Sequence, residues 1–233
     1  NGRLPVIAGA TDTSTYGSIQ LAKFAKDVGA DAVMVMPPFG VISRAVLAPL
    51  TEQDVVEFFI QLNEAVDIPI LVYNNSPTSS VRLSLQSLRR ILEQGNVVGI
   101  EENSMDYRTL YLDCREFAGN MSILVRSHVF LPALELGAHG AIIPVGFSKI
   151  GSELYNAFKA GDNEKMHECQ NMLLDVFPQE FSNKPVISYY KEALTQLGFD
   201  VGLPRAPMVA LNEDEKLKVS DFLKRIGLAR VKG

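Results

Sequence analysis

Short apolar runs alternate along the chain with longer stretches whose apolar residues recur at helical spacing. The runs are LPVIAGA at 4–10, DAVMVMPP at 31–38, PILVYNN at 69–75, VVGIEE at 97–102, SILVRS at 122–127 and GAIIPVG at 140–146. Amphipathic segments follow them at about 14–28, 52–66, 85–93, 107–117, 130–136 and 152–159. A strand of a half-exposed antiparallel sheet alternates apolar with polar, whereas these runs are almost uniformly apolar, as strands covered on both faces are. The pattern therefore predicts repeated βα units and a parallel sheet. Gly29 in DVGADAV and Gly137 in ELGAHGAI stand where a helix stops before the next strand, the usual place for a helix C-terminal glycine.

Three further helices are expected at about 163–177, 185–197 and 213–226, with the proline-punctuated LPRAPMVAL joining the last two. Six βα units followed by helices fit a doubly wound sheet or a (β/α)8 barrel. The first βα turn, GATDTSTYG, has no GxGxxG and is no phosphate loop, which weighs against the dinucleotide fold. A barrel closes on eight strands, so the barrel reading places its first two βα units outside this sequence. On that reading residues 1–160 hold barrel strands three to eight with their helices, and residues 161–233 form a C-terminal helical extension packed on the barrel within one domain.

Composition narrows the partners. The chain has 233 residues, 47% of them hydrophobic, enough for a sizeable single core. Net charge is −5 with no basic run, which argues against nucleic acid as a partner. No apolar run approaches the roughly 20 residues of a membrane helix, and NGRLPVIAGA lacks the blocks of a signal peptide; no membrane partner is expected, and the cytoplasm is the expected location. Cys114 and Cys169 are far apart with no CxxC, and no HExxH or Cys/His cluster occurs, so they read as structural thiols and no metal site is expected.

Several blocks in order resemble one family: GRLPVIAGATDTST, AKDVGADAVMVMPP, PILVYNNSP, NVVGIEENSMD and LPALELGAHGAI, then KEALTQLGF and LPRAPMVALNEDEK. They resemble the dihydrodipicolinate synthase and N-acetylneuraminate lyase family, over essentially the whole chain. The resemblance implies a class I aldolase barrel with C-terminal helices, a small 2-oxo acid or sugar acid as substrate, no cofactor, and a homo-oligomer, either dimer or tetramer. In that family a strand-end lysine forms a Schiff base with a 2-oxo acid, usually pyruvate. The motif Gly, Ile, Lys, then an acidic or small polar residue, falls here on Gly99, Ile100, Glu101 and Glu102, and a carboxylate forms no imine. The resemblance places the family's proton-transfer tyrosine at Tyr73. It places Phe39 where a second tyrosine stands, and Thr78 near the position of a substrate-binding arginine. The family's Thr-Thr pair belongs to the second strand, outside this sequence.

From strand alternation, Val97, Gly99 and Glu101 are expected to point inward, which sets a carboxylate at the C-terminal mouth where barrel active sites are built. Arg126, at the end of the next strand, is expected to pair with Glu101. Tyr73 and Glu101 are the candidate catalytic residues, and Thr11, Asp12, Arg126 and His128 the candidate substrate-binding residues, all at strand ends. Asp12 with Glu101 and Glu102 offers oxygen ligands suited to Mg²⁺, although nothing in the spacing requires a metal. Glu102 reads as a solvated strand end or helix cap, Arg44 as a loop residue able to reach a substrate carboxylate, and His139 and His167 as structural or surface residues. Two functions remain open: a lyase whose Schiff-base chemistry is lost, replaced or relocated, and a pseudoenzyme that binds a small carboxylate ligand or serves in assembly.

Overall fold

A computed structural model describes residues 2–38, 50–79, 81–104, 106–176 and 185–228. The chain divides into two compact units, Asn1–Ile142 and Ile143–Gly233. The first holds six strands: β1 (Ile7–Gly9), β2 (Ala32–Val35), β3 (Ile70–Asn74), β4 (Val97–Glu102), β5 (Ser122–Arg126) and β6 (Gly140–Ile142). They form one sheet in consecutive order β1 to β6, and every neighbouring pair is parallel. The apolar runs thus become strands of a parallel sheet as their composition requires.

The helices between them are α1 (Thr15–Asp27), α2 (Glu52–Ala65), the single turn α3 (Ser76–Ser79), α4 (Leu85–Leu92), α5 (Tyr107–Phe117) and α6 (Phe130–Glu135). Four of them start on a side-chain cap that satisfies a backbone N–H. Ser14 accepts from Gly17 N, Ser84 from Ser87 N, and Asp106 from Thr109 N, while Thr51 and Asp54 make a reciprocal capping box. α3 lies inside the β3-to-α4 connection, where the sequence pattern predicts no element. Its four residues are too few to show a period.

Between sheet and helices lies a core that includes Val33, Val35, Ile70, Val72, Ile100, Ile123 and Val125 from the strands. Val55, Phe59, Leu62, Leu88, Ile91, Leu110 and Phe117 are buried from the helices. Burying each such side chain contributes about 1.5–3 kcal/mol, far more than the exposed pairs Lys26–Asp67 and Arg89–Glu116.

The second unit contains a 3₁₀ turn (Val145–Phe147) and the helices α7 (Ser148–Ala160), α8 (Asn163–Leu174), α9 (Val186–Gln196) and α10 (Glu213–Arg225). α7 begins earlier than the pattern suggested, because Phe147 stands at its N-cap and no polar cap marks the start. Phe147 stacks with Tyr189 at 6.3 Å and meets Phe222 edge-on at 6.0 Å, an aromatic centre for this unit. Among the described residues no helix is long and apolar enough to cross a membrane.

Gly99 lets β4 lie close against β5. A Cβ there would lie 2.8 Å from Ser122 O, a backbone atom fixed by the sheet. Gly99→Ala is expected to lower the unfolding free energy by about 2 kcal/mol in urea titrations. Gly9→Ala, where a Cβ meets nothing within 4 Å, should change it by less than about 0.5 kcal/mol.

Candidate active site

Parallel register sorts the residues at the strand ends into two rows. Tyr73 aligns with Glu101 and Glu101 with Leu124, while Asn74 aligns with Glu102 and Glu102 with Val125. Side chains alternate across a strand, so Tyr73, Glu101 and Arg126, two residues past Leu124, share one face. Asn74 and Glu102 share the other. The two adjacent glutamates of β4 therefore enter different surroundings.

Glu101 is 4% exposed. Burial pushes its carboxyl up, the Arg126 guanidinium pulls it back in part, and the Glu102 charge adds a rise, leaving it at about 7. Arg126 thus acts on Glu101 as a neighbouring positive charge. Burial also raises the Tyr73 phenol, and the Glu101 charge raises it further. Asn75 Nδ2 donates to the Tyr73 hydroxyl oxygen at 3.0 Å, and Asn103 Nδ2 donates to it at 3.4 Å. Because both amides donate, the phenol keeps its own proton for another acceptor. His128, in the 3₁₀ turn Ser127–Val129 after β5, is pushed down by burial and by Arg126, so its imidazole is neutral near pH 7. A carboxyl balanced between its two protonation states near neutrality is suited to general acid and base work.

On the opposite face Glu102 is 1% exposed, which overturns its reading as a solvated strand end. Asn74 Nδ2 donates to Glu102 Oε2 at 2.6 Å, and Ser104 N donates to Oε1 at 2.7 Å. Asp113 of α5, equally buried, is pushed up to about 7 by burial and then by the Glu102 charge. Two facing carboxylates cannot hydrogen-bond, and Asp113 Oδ2 has no donor within reach. One proton held by Asp113 and donated to Glu102 satisfies both groups. Arg82 supplies a positive charge near the pair and donates to Thr109 Oγ1. Beside them a cavity of about 350 Å³ is lined by Arg82, Leu83, Ser84, Thr109, Leu112 and Asp113, among others.

Thr11 and Asp12 lie past the end of β1 and serve the backbone there. Thr11 Oγ1 accepts from Met36 N at 3.0 Å, tying this loop to the segment after β2. Asp12 Oδ1 accepts from Ser14 N at 3.0 Å and Ser14 Oγ at 2.9 Å, forming the entry to α1. The electrostatic cluster joins Tyr73, Glu101, Arg126 and His128, whereas the bonds of Thr11 and Asp12 given above go to the loop backbone and to Ser14. Among the described residues no group of three or more His, Cys, Asp and Glu is arranged to hold a metal ion. Thr78 is exposed in α3, and Phe39 and Arg44 lie outside the described residues.

Sequence reasoning missed Asn75, Asn103, Arg82 and Asp113. Only Asp113 carried a signal: it falls on the face of α5 that buries Thr109, Leu110, Cys114 and Phe117, where an acid is out of place.

Fold and site together define an α/β protein of parallel βα units with an acid–base cluster where its strands end. The chain belongs to the dihydrodipicolinate synthetase family, whose model matches residues 1–226. It is 30% identical to the 4-hydroxy-tetrahydrodipicolinate synthase of Archaeoglobus fulgidus over 97% of this chain and 76% of that protein. It is also 30% identical to an uncharacterised DapA-like lyase of Halobacterium salinarum over 97% of this chain and 73% of that protein. The crystal structure of dihydrodipicolinate synthase from Aquifex aeolicus superposes with a TM-score of 0.85 at 25% identity, covering 99% of this chain and 78% of that one. The TIM-barrel type expected for the six βα units is thus that of the neighbours this chain resembles, and the lyase-type family read from the motifs is its family.

The buried carboxyls set the pH dependence of stability. Glu101 and Asp113 titrate at about 7 when folded and near 4 when unfolded. Between those values the folded state holds protons that the unfolded chain has released, so stability is greatest at the acidic end and declines as pH rises through 7. His128, pushed down, opposes this with one group. Urea titrations are expected to show a net loss of roughly 3–5 kcal/mol between pH 5 and pH 8, and Glu101→Gln should flatten that slope. A stability that rises over this range would contradict the assignment.

Proposed function

We propose that the face carrying Tyr73, Glu101, Arg126 and His128 is a lyase site for a small 2-oxo acid or sugar acid, and that it works without an imine. Glu101 stands in the motif position of the family's Schiff-base lysine and acts instead as general base and acid. The observation that carries this reading is a carboxyl buried between Tyr73 and Arg126 yet held near neutrality, at about 7. The sheet is read as six of the eight strands of a family barrel. Supporting this are the consecutive, all-parallel order of β1 to β6 and the likeness to a family structure at a TM-score of 0.85.

The chemistry follows from these groups. For a 4-hydroxy-2-oxo acid, ionised Glu101 takes the hydroxyl proton, the C3–C4 bond breaks, and the hydroxyl carbon leaves as a carbonyl. The bonding electron pair passes to the 2-oxo group as an enolate. The Arg126 charge and the Tyr73 O–H stabilise that oxygen, and protonated Glu101 returns its proton to C3, which balances the cycle. Neutral His128 supplies a hydrogen bond to the substrate. A 2-oxo acid and a homo-oligomer, dimer or tetramer, both rest on family resemblance.

The second reading, a binding site without turnover, draws on the same two charges, because Arg126 already offsets part of the Glu101 charge. Steady-state assays separate the two. Glu101→Gln is expected to lower kcat by about 10²- to 10⁴-fold with KM within a few-fold, and the wild-type profile should inflect near pH 7. Saturable binding with no turnover in wild type would favour the second reading.

Borohydride reduction in the presence of pyruvate, followed by intact mass and peptide mapping, tests the absence of an imine. No adduct is expected, with an active family member as positive control. A trapped adduct on any lysine, Lys149 included, would overturn the mechanism.

A further inference from the structure

The cavity of about 350 Å³ beside Asp113 lies on the other face of β4 from Tyr73, Glu101 and Arg126, and the chemistry proposed for that face makes no use of it. Its walls are of two kinds. Leu83 and Leu85, at the approach to α4 and its first residue, and Leu112 of α5 supply apolar surface. Arg82 and Asp113 supply a guanidinium and a carboxyl. Asp113 is 4% exposed, no donor reaches its Oδ2 among the described residues, and its hydrogen-bonding neighbour is a second carboxyl, Glu102.

Charge around this cavity is out of balance. Arg82 is the cation that acts on Glu102, Asp106 and Asp113, and it is turned to Thr109, to whose Oγ1 it donates. Asp106, the N-cap of α5, accepts from Thr109 N at 3.1 Å on one wall, and Glu52 of α2 accepts from Ser84 N on the other. The remaining basic side chains of α4 and α5 do not redress this: Arg89 and Arg90 donate to Glu116 and Gln53, and Arg115 donates to Tyr111, while Arg108 is exposed. Four carboxyls, Glu52, Glu102, Asp106 and Asp113, less one shared proton and one guanidinium, leave two negative charges around the cavity. An anion is repelled there, and a neutral ligand leaves the surplus in place. A bare metal ion needs a set of oxygen ligands, and among the described residues no group of three or more His, Cys, Asp and Glu is arranged for one. An organic cation with a short apolar body matches both kinds of wall.

We propose that this cavity binds a primary aliphatic ammonium ion, its head on the Asp113 carboxylate and its carbon chain against Leu83, Leu85 and Leu112. The inference is independent of the reading of the strand-end face. Binding exchanges one positive charge for another: the ammonium takes the place of the proton shared by Asp113 and Glu102, and that proton passes to solvent. Two buried carboxylates then stand with two cations, Arg82 and the ligand. Because Asp113 holds its proton up to about pH 7, and an alkylammonium stays charged to about pH 10, affinity rises as pH rises from 5 to 7.

Calorimetric titration of the chain with n-butylammonium tests this, with butan-1-ol and butyrate as its neutral and anionic matches. The ammonium is expected to bind with a Kd on the order of 1 mM, about tenfold tighter than either match or more. At pH 6, titration in two buffers of different ionisation enthalpy should show release of about one proton per amine bound. Asp113→Asn, whose amide still donates to Glu102, should weaken binding about tenfold or more and abolish the proton release. Leu112→Trp, which fills the cavity without touching its charge, should weaken binding as much and carries the test where Asp113→Asn fails to fold. Glu101→Gln should leave amine affinity within about twofold. Absence of butylammonium binding, equal affinity for the alcohol, or binding unchanged in Asp113→Asn or in Leu112→Trp would overturn the inference. Binding lost in Glu101→Gln and kept in Asp113→Asn would overturn it by moving the amine to the strand-end face.

Discussion

The desolvation of two neighbouring carboxyls on one strand is the constraint around which the candidate site is built. Glu101 and Glu102 are both buried, and two unscreened negative charges at that spacing are incompatible with a stable fold. Alternation across β4 separates them, and each face answers its own charge: Arg126 with Tyr73 on one side, Asn74, Ser104, Asp113 and Arg82 on the other. The two solutions differ in kind. Glu102 is held by hydrogen bonds and a shared proton, so its geometry is fixed; Glu101 is offset mainly by the field of a cation, so its proton stays exchangeable near neutrality.

That division depends on register, and register depends on packing of the sheet. Close approach of β4 to β5 at Gly99 brings Leu124 opposite Glu101 and so carries Arg126 to the correct face. A slip of one residue would exchange the faces of the two glutamates. Helix caps fix the other side of the arrangement: Asp106 starts α5 so that Asp113, seven residues on, reaches the level of Glu102. Local polar chemistry and the apolar core thus impose the same register from two directions.

Much of the fold was legible because continuous apolar runs and helical periodicity are local signals; the six strands and the longer helices follow from them. α3 and the start of α7 were not, since one is shorter than a helical repeat and the other lacks a polar cap. Strand parity made the facing of Glu101 legible, and the register sets Tyr73 and Arg126 on that same face. Thr11 and Asp12 occupy the expected strand-end address, but a strand end also needs residues that satisfy the loop backbone, and their bonds do that. Glu102 looked solvated because its partner Asp113 is eleven residues away on a helix, beyond any short-range pattern. Asn75 was invisible for a different reason: one asparagine in a turn is ordinary, and only its bond to the Tyr73 hydroxyl marks it.

The two faces of β4 are not independent. The Glu102 charge raises Glu101, and the size of that charge is governed by the proton Asp113 shares with Glu102. The charge of a group on the helix side of the sheet thereby adds to the rise of a group on the opposite face. Burial does most to lift Glu101 toward neutral pH, the Arg126 charge offsets part of that rise, and the neighbouring Glu102 charge adds to it, so strand alternation tunes the first glutamate chiefly by the buried surroundings it gives it.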